Sequence, residues 1–297
     1  MDTSKSQWTL TAVTVVVVLA SMSGLSTLAG THSVHVGTHS ALVVSAAMVL
    51  GIQWLCWIPA SLKKTERYYD LTGGITYLCA IALSLWAGSQ EQAPSAREWI
   101  LSAMVTVWAV RLASFLFLRI HRAGKDRRFD ELKTNPVRFL VPWTLQGLWV
   151  FLTLLVVLVI NCQDTSGAPL GPWDYTGFAL WIFGFGIEVT ADRQKSAFAA
   201  RAETRNTWID EGLWARSRHP NYFGEILLWS GIALCGLSCF SGGEWVALVS
   251  PLFVALLLTR ISGVPMLDER AMERWGEDPA YLAYRAKTRM LLPIRRS

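Results

Sequence analysis

Phe139–Asn161 reads FLVPWTLQGLWVFLTLLVVLVIN, a run without a single charged residue. Coiled as an α-helix at 1.5 Å per residue it extends about 34 Å, enough to cross a hydrocarbon layer roughly 30 Å thick. Comparable runs occur at 8–29, 40–60, 71–89, 99–119, 173–191, 222–240 and 244–263, making eight expected spans. The chain-wide figures agree: 297 residues are 52% hydrophobic and 16% charged, with fifteen Trp and a mean hydropathy of +0.34. A soluble domain carries about 25% charged residues. Disorder is therefore excluded and an ordinary soluble enzyme disfavoured, and residues 1–297 read as one all-α polytopic membrane domain, a bundle of seven to eight helices.

A net charge of +5 would point to nucleic acid in a soluble protein, but here the cations belong to loops. Lys5 precedes the first span, three cations lie between the second and third, seven run from Arg119 to Arg138, six from Arg193 to Arg218 and seven follow the last span. That places 24 of 27 on one side, with Arg97 opposite and Arg111 and Arg260 inside spans. The positive-inside rule then puts both termini in the cytoplasm, in the endoplasmic reticulum of a eukaryote or the inner membrane of a bacterium. The first run, Trp8 to Ala29, is too long for a signal-peptide core and reads as an uncleaved span. Partners are the bilayer and a lipophilic molecule, with no nucleic acid.

The five cysteines form no CxxC pair, which indicates buried thiols rather than a disulfide framework or zinc site. His32, His35 and His39 have no carboxylate nearby in sequence, so an ordinary histidine-bearing loop is expected and no metal. Charges inside spans need partners or a wet cavity. Arg260, near a span end, can snorkel; Arg111 is more central and needs an acceptor. Glu188 and Asp192, at i and i+4, share a face at the cytoplasmic end of the sixth span, where they can accept hydrogen bonds from a ligand or from nearby cations, or simply be solvated.

Ser217-Arg218-His219-Pro220-Asn221-Tyr222-Phe223-Gly224-Glu225 opens the seventh span. Pro220 fits a first helical turn, Arg218 and His219 offer donors at the membrane surface, and amides at the helix start attract anions. Asn221 and Glu225 again share a face. This group suits a phosphate-bearing, amide-bearing or sulfonium cofactor. The tail from Asp268 through Tyr281 and Tyr284 to Pro293 interleaves both charge signs with aromatics, as a segment covering a site would; a surface amphipathic helix is the alternative. With the loops between spans four and five and between six and seven, it is expected to form a lid.

Ala191-Asp192-Arg193-Gln194-Lys195, Glu211-Gly212-Leu213-Trp214, Ser217–Glu225 and the tail from Tyr284 to Pro293 together resemble the membrane proteins related to the steroid 5-alpha-reductase C-terminal domain, in particular an uncharacterised branch carrying SRHPNYFGE. Arg67–Gly73 and Gly124–Phe129 extend the resemblance, which covers most of the chain from about residue 50. It divides the chain into a divergent N-terminal span, 1–45, and a steroid-reductase-like region, 46–297, with its cofactor-binding part at about 173–297. RHPxY is shared with isoprenylcysteine carboxyl methyltransferases and sterol reductases.

The resemblance implies an NADPH-dependent reductase of a carbon–carbon double bond in a sterol, steroid or other lipid. Hydride transfer would be followed by protonation. It assigns cofactor contacts to Asp192, Lys195, Asn221, Glu225 and Asp268, with Glu188 standing where steroid reductases have Asn. At the substrate end, Gln53 matches half of a Gln-Glu pair. Trp54 replaces the Glu, and Trp108 stands near the expected Tyr. Tyr222, Tyr68, Tyr69 or Tyr77 are alternative donors. Two other readings are an S-adenosylmethionine-dependent methyltransferase and a non-catalytic scaffold of the same fold.

Overall fold

The structure is a computed structural model describing residues 3–163, 169–204 and 206–293. It is all-α apart from one two-residue-strand hairpin. Six helices among the described residues are long and apolar enough to cross a membrane: Gln7–Ala29, Ala41–Leu62, Tyr69–Ser89, Ala96–Arg122, Pro136–Cys162 and Gly242–Trp275. The sixth and seventh of the eight expected spans do not meet that measure. Asp174 and Glu188 dilute the sixth, and the seventh is a helix of only 17 residues.

The chain divides into two compact units, Met1–Leu170 with Gly236–Val249, and Gly171–Cys235 with Ser250–Ser297. In the first, α1 (Thr3–Ala29), the hairpin β1–β2 (His35–Val36, His39–Ser40), α2 (Ala41–Leu62), α3 (Tyr69–Ser89), α4 (Ala96–Ala123) and α5 (Pro136–Cys162) follow in order. Helix α5, which contains the uncharged run Phe139–Asn161, is the hub, packed by α1, α2 and α3 and buried throughout Val150–Cys162. Asn135 caps it, accepting from the amides of Val137 (2.9 Å) and Arg138 (3.3 Å), and Pro136 occupies its first turn. Helix α4 starts on a reciprocal cap, with the Ser95 amide donating to Glu98 Oε2 at 2.6 Å. The outer helices expose Trp8, Leu10, Val16, Leu55, Ile75 and Trp99, an apolar exterior suited to lipid and costly in water.

The histidine-bearing loop is the hairpin, turned at Gly37 with φ +63°. The fold supplies what the local sequence lacked: Glu244, fully buried, accepts from His32 Nδ1 at 2.7 Å and Thr31 Oγ1 at 3.0 Å. Among the described residues no group of three or more His, Cys, Asp or Glu could hold a metal.

The second unit comprises α6 (Pro172–Ala200), α7 (Pro220–Gly236), α8 (Val249–Leu256), a π-helical turn (Leu257–Ile261), α9 (Val264–Trp275) and α10 (Pro279–Lys287). Helices α6 and α7 touch along glycines seven apart. A Cβ on Gly184 would stand 2.6 Å from the Gly224 carbonyl, and one on Gly231 2.5 Å from the Gly177 carbonyl. Only hydrogen at these positions permits such backbone contact.

Candidate cofactor site

Helix α6 does not stop where its apolar run does; with no Gly or Pro to end it, it continues through Asp192, Gln194 and Lys195 to Ala200. The chain then returns at Gly212–Trp214, where Gly212 adopts φ +60° against the Gln194 side chain. Gln194 Oε1 accepts from the Leu213 amide at 2.9 Å, and Trp214 Nε1 donates to the Ala191 carbonyl at 3.0 Å. The tail closes over this platform. Arg218 and His219 donate their amides to the carbonyls of Arg289 (2.9 Å) and Met290 (3.1 Å), and Tyr284 Oη donates to the Trp214 carbonyl at 2.9 Å. Two of the three expected lid segments therefore fold together. The third, between α4 and α5, belongs to the first unit, where the Asp126 amide and Lys133 both donate to buried Glu66.

Between α6, the Gly212–His219 return, α9 and α10 lies a cavity of about 590 Å³. Lys195, Arg218, Arg270 and Arg274 supply positive charge to its lining, and Trp208, Trp275, Tyr281 and Tyr284 supply rings. Trp208 packs against Tyr281 with ring centres 5.2 Å apart and against Trp275 at 6.1 Å, and Lys195 Nζ sits 4.8 Å above the Trp214 ring. The Asp268 carboxylate is already engaged: it accepts from Arg218 and Arg285, each at 3.1 Å, and one oxygen lies 3.5 Å from His219 Nε2.

His219 is 5% exposed, its ring stacked on Tyr222, with Nε2 facing the Asp268 carboxylate and Nδ1 making no hydrogen bond among the described residues. Burial lowers its pKa, and the Lys195 and Arg218 charges act in the same direction against the pull of Asp268. Trp208 Nε1 and Arg218 Nε are also buried without partners. Buried donors left unpaired beside a cavity of this size fit a polar ligand that would satisfy them. Burial likewise raises the pKa of Tyr284 and Tyr281, which keep their protons at neutral pH.

Of the residues expected from sequence, Lys195, Arg218, His219, Asp268, Tyr281 and Tyr284 line this cavity. Glu188, Asp192, Asn221, Tyr222 and Glu225 do not. Glu188 and Asp192 are buried on α6, the former directly across from Gly224, while Asn221, Tyr222 and Glu225 are half-buried on α7. Gln53 belongs to the first unit, fully buried, with Nε2 donating to Thr76 Oγ1 at 3.0 Å. Tyr69 Oη donates to the Pro142 carbonyl at 2.9 Å, Tyr77 Oη meets Thr153 Oγ1 at 2.5 Å, and Tyr68 is exposed. Arg111 lies over the Phe115 ring, and Arg260 is exposed on the π-helical turn, as a snorkelling side chain would be. Asn206, Trp208, Arg270, Arg274 and Trp275 were missed. Their signal was two tryptophans in charged stretches and a pair of arginines four apart on amphipathic α9.

A family model described as "Protein of unknown function (DUF1295)" matches residues 56–288. The chain belongs to the DUF1295 family. It is also similar to an uncharacterized protein of the fission yeast Schizosaccharomyces pombe, 25% identical over 184 residues, which are 51% of this chain and 52% of that protein. The chain thus spans about half the length of that relative. No solved structure matches it. The matched family region takes in the whole lining of the cavity.

Proposed function

We propose that this DUF1295 protein is a membrane reductase that uses NADPH to saturate a carbon–carbon double bond in a lipophilic substrate, with both termini in the cytoplasm. The observation that carries the reading is the cavity lining: four cations and six aromatic rings (Phe198, Trp208, Trp214, Trp275, Tyr281 and Tyr284) share it with one carboxylate that two arginines already neutralise. That chemistry favours a flat heteroaromatic ligand with several phosphates. Its volume of about 590 Å³ lies within the usual range of cofactor sites. Lys195, Arg218, Arg270 and Arg274 would pair with phosphate oxygens, and the Trp208–Tyr281 wall would pack on a ring. His219, neutral at pH 7, can accept a hydrogen bond at one ring nitrogen and donate at the other. The bound nucleotide supplies the hydride. The excess of cations disfavours a methyltransferase reading, because a sulfonium ligand would seek carboxylates.

The test is a thermal-shift titration of the detergent-purified protein with NADPH, NADH and S-adenosylmethionine. A ligand at a hundred times its Kd stabilises by about 2.7 kcal/mol. NADPH is expected to raise the melting point, with the affinity falling at least tenfold in an Arg270→Gln, Arg274→Gln double variant. A response to S-adenosylmethionine alone would favour the methyltransferase, and no response to any of the three would leave a scaffold.

A further inference from the structure

In the first unit, the turn between α2 and α3 and the loop between α4 and α5 carry far more positive than negative charge. Residues 63–70 and 119–138 together hold ten Lys and Arg against five Asp and Glu. The fold engages most of those acids internally. Buried Glu66 accepts from Lys133 at 2.8 Å and from the Asp126 amide at 2.9 Å, which clasps the turn to the loop. Asp126 pairs with Arg128, and Asp130 with Lys125. Lys63, Lys64, Arg67 and Arg122 are left exposed and make no ion pair among the described residues. Beside them three rings stack from one segment to the other. Tyr68 lies on Phe117 with centres 6.2 Å and planes 22° apart, and Phe117 on His121 at 6.2 Å and 23°. Tyr68 and His121 are exposed, and their chain neighbours are Arg67 and Arg122, so rings and cations share one end of the unit.

The apolar helices set the depth of this patch. Lys63 and Lys64 directly follow Ala41–Leu62, Arg67 and Tyr68 directly precede Tyr69–Ser89, and Arg122 ends Ala96–Arg122. Leu62 and Leu118, next in sequence to Lys63 and Arg119, are 80% and 49% exposed. Large apolar side chains beside cations at a span end belong where acyl chains give way to headgroups, and exposed rings are favoured at the same level. A soluble acidic protein or a polynucleotide would answer the charges without covering these leucines. A zwitterionic lipid would cover the leucines but bring a cation of its own. An anionic phospholipid answers both, with its phosphate on the ammonium and guanidinium groups and its chains along Leu62 and Leu118. We propose that this surface of the first unit binds anionic phospholipid of the surrounding bilayer, with Lys63, Lys64, Arg67 and Arg122 on the headgroup and the Tyr68–Phe117–His121 stack beside it. The site is independent of the reductase reading and uses none of the residues that line the large cavity.

The test is native mass spectrometry of the full chain, titrated in detergent with phosphatidylglycerol or with phosphatidylcholine of identical acyl chains. Each cation near a membrane surface strengthens binding to anionic lipid about fivefold, so phosphatidylglycerol is expected to bind at least about twentyfold more tightly. Lys64→Gln, Arg67→Gln and Arg122→Gln together should reduce that preference to about threefold or less, at an unchanged melting point in phosphatidylcholine. Arg122→Gln alone should lower it about fivefold, which keeps the test decisive if the triple variant folds poorly. The control removes as many charges from the second unit through Arg193→Gln, Arg216→Gln and Lys287→Gln, all exposed and outside the large cavity; it should retain the preference of the parent. Equal binding of the two lipids by the parent, a preference that survives the patch variants, or one that falls as far in the control overturns the inference.

Discussion

Replacing Asp268 with Asn should detach the tail from the helix that begins at Pro220. Its carboxylate accepts from Arg218 and Arg285, both at 3.1 Å, with side-chain exposures of 15% for Arg218, 21% for Asp268 and 34% for Arg285. A hydrogen bond to a charged group contributes about 1.5–3 kcal/mol, and losing a partner leaves a half-buried guanidinium uncompensated. Water reaches all three side chains, so the sum is discounted to roughly 2–3 kcal/mol. For a domain of this size that lowers the melting point by roughly 5–10 °C. The loss should be local first. The Arg218 and His219 amides, which donate to the Arg289 and Met290 carbonyls, should exchange with deuterium at least tenfold faster, while exchange in α5 stays unchanged. Glu269→Gln, next in sequence and exposed, is the control for charge alone. A melting point within about 1 °C of the parent together with unaltered exchange at Arg218 and His219 would refute the assignment of Asp268 as the clasp of this site.

Three further outcomes are expected. Gly184→Val places a side chain 2.6 Å or less from the Gly224 carbonyl, and the helices must part, costing about 3 kcal/mol or more; gel filtration and melting in detergent read the loss. Because burial holds the His219 pKa below its ordinary value, the unfolded chain binds the proton more readily. Stability is therefore whole at neutral pH and falls as pH drops below about 6.5, and that acid-side fall should flatten in His219→Gln when melting is followed from pH 8 to 5. Tyr77→Phe removes the contact to Thr153, whose hydroxyl still has the Trp149 carbonyl at 2.7 Å; the expected cost is about 1 kcal/mol by chemical denaturation.

The spans were legible because hydrophobic length needs no knowledge of partners: 40–60, 71–89 and 139–161 became α2, α3 and α5 within a few residues at most ends. The ends of α6 were not, since a helix persists past its apolar stretch while no residue stops it, and the charged Asp192–Ala200 turns carry the first wall of the cavity. Six of the residues that line the cavity, Lys195, Arg218, His219, Asp268, Tyr281 and Tyr284, followed from helix position and resemblance. Trp208 and Arg274 could not, because Asn206 at φ +70° reverses the loop so that its carbonyl and amide oxygens receive Trp275 Nε1 and Arg274. A left-handed turn and two long-range hydrogen bonds are not a pattern in one dimension. The same holds for Glu244, whose partner His32 lies 212 residues away.

The polar residues of α5 show how a helix otherwise written for lipid is fixed among its neighbours. A polar side chain in such a helix is retained against a cost, which a partner inside the bundle offsets. Thr144 accepts from Trp54 Nε1 at 3.1 Å, Thr153 meets Tyr77, and Asn161 donates to Ser84 at 2.9 Å and Ser102 at 3.0 Å. Each of these cross-links α5 to a neighbouring helix, although the Asn161 Oδ1 is left without a partner among the described residues. Trp143 Nε1 is unpaired, but its indole packs edge-on to the rings of Tyr69 and Phe139, where apolar contact accounts for it. Gln146 stands as Asn161 does: its Oε1, like the Asn161 Oδ1, is buried without a partner among the described residues. Its Nε2 lies where a Cβ on Gly73 would stand only 2.8 Å away, so the absence of a side chain at Gly73 is what lets the amide pack between α3 and α5.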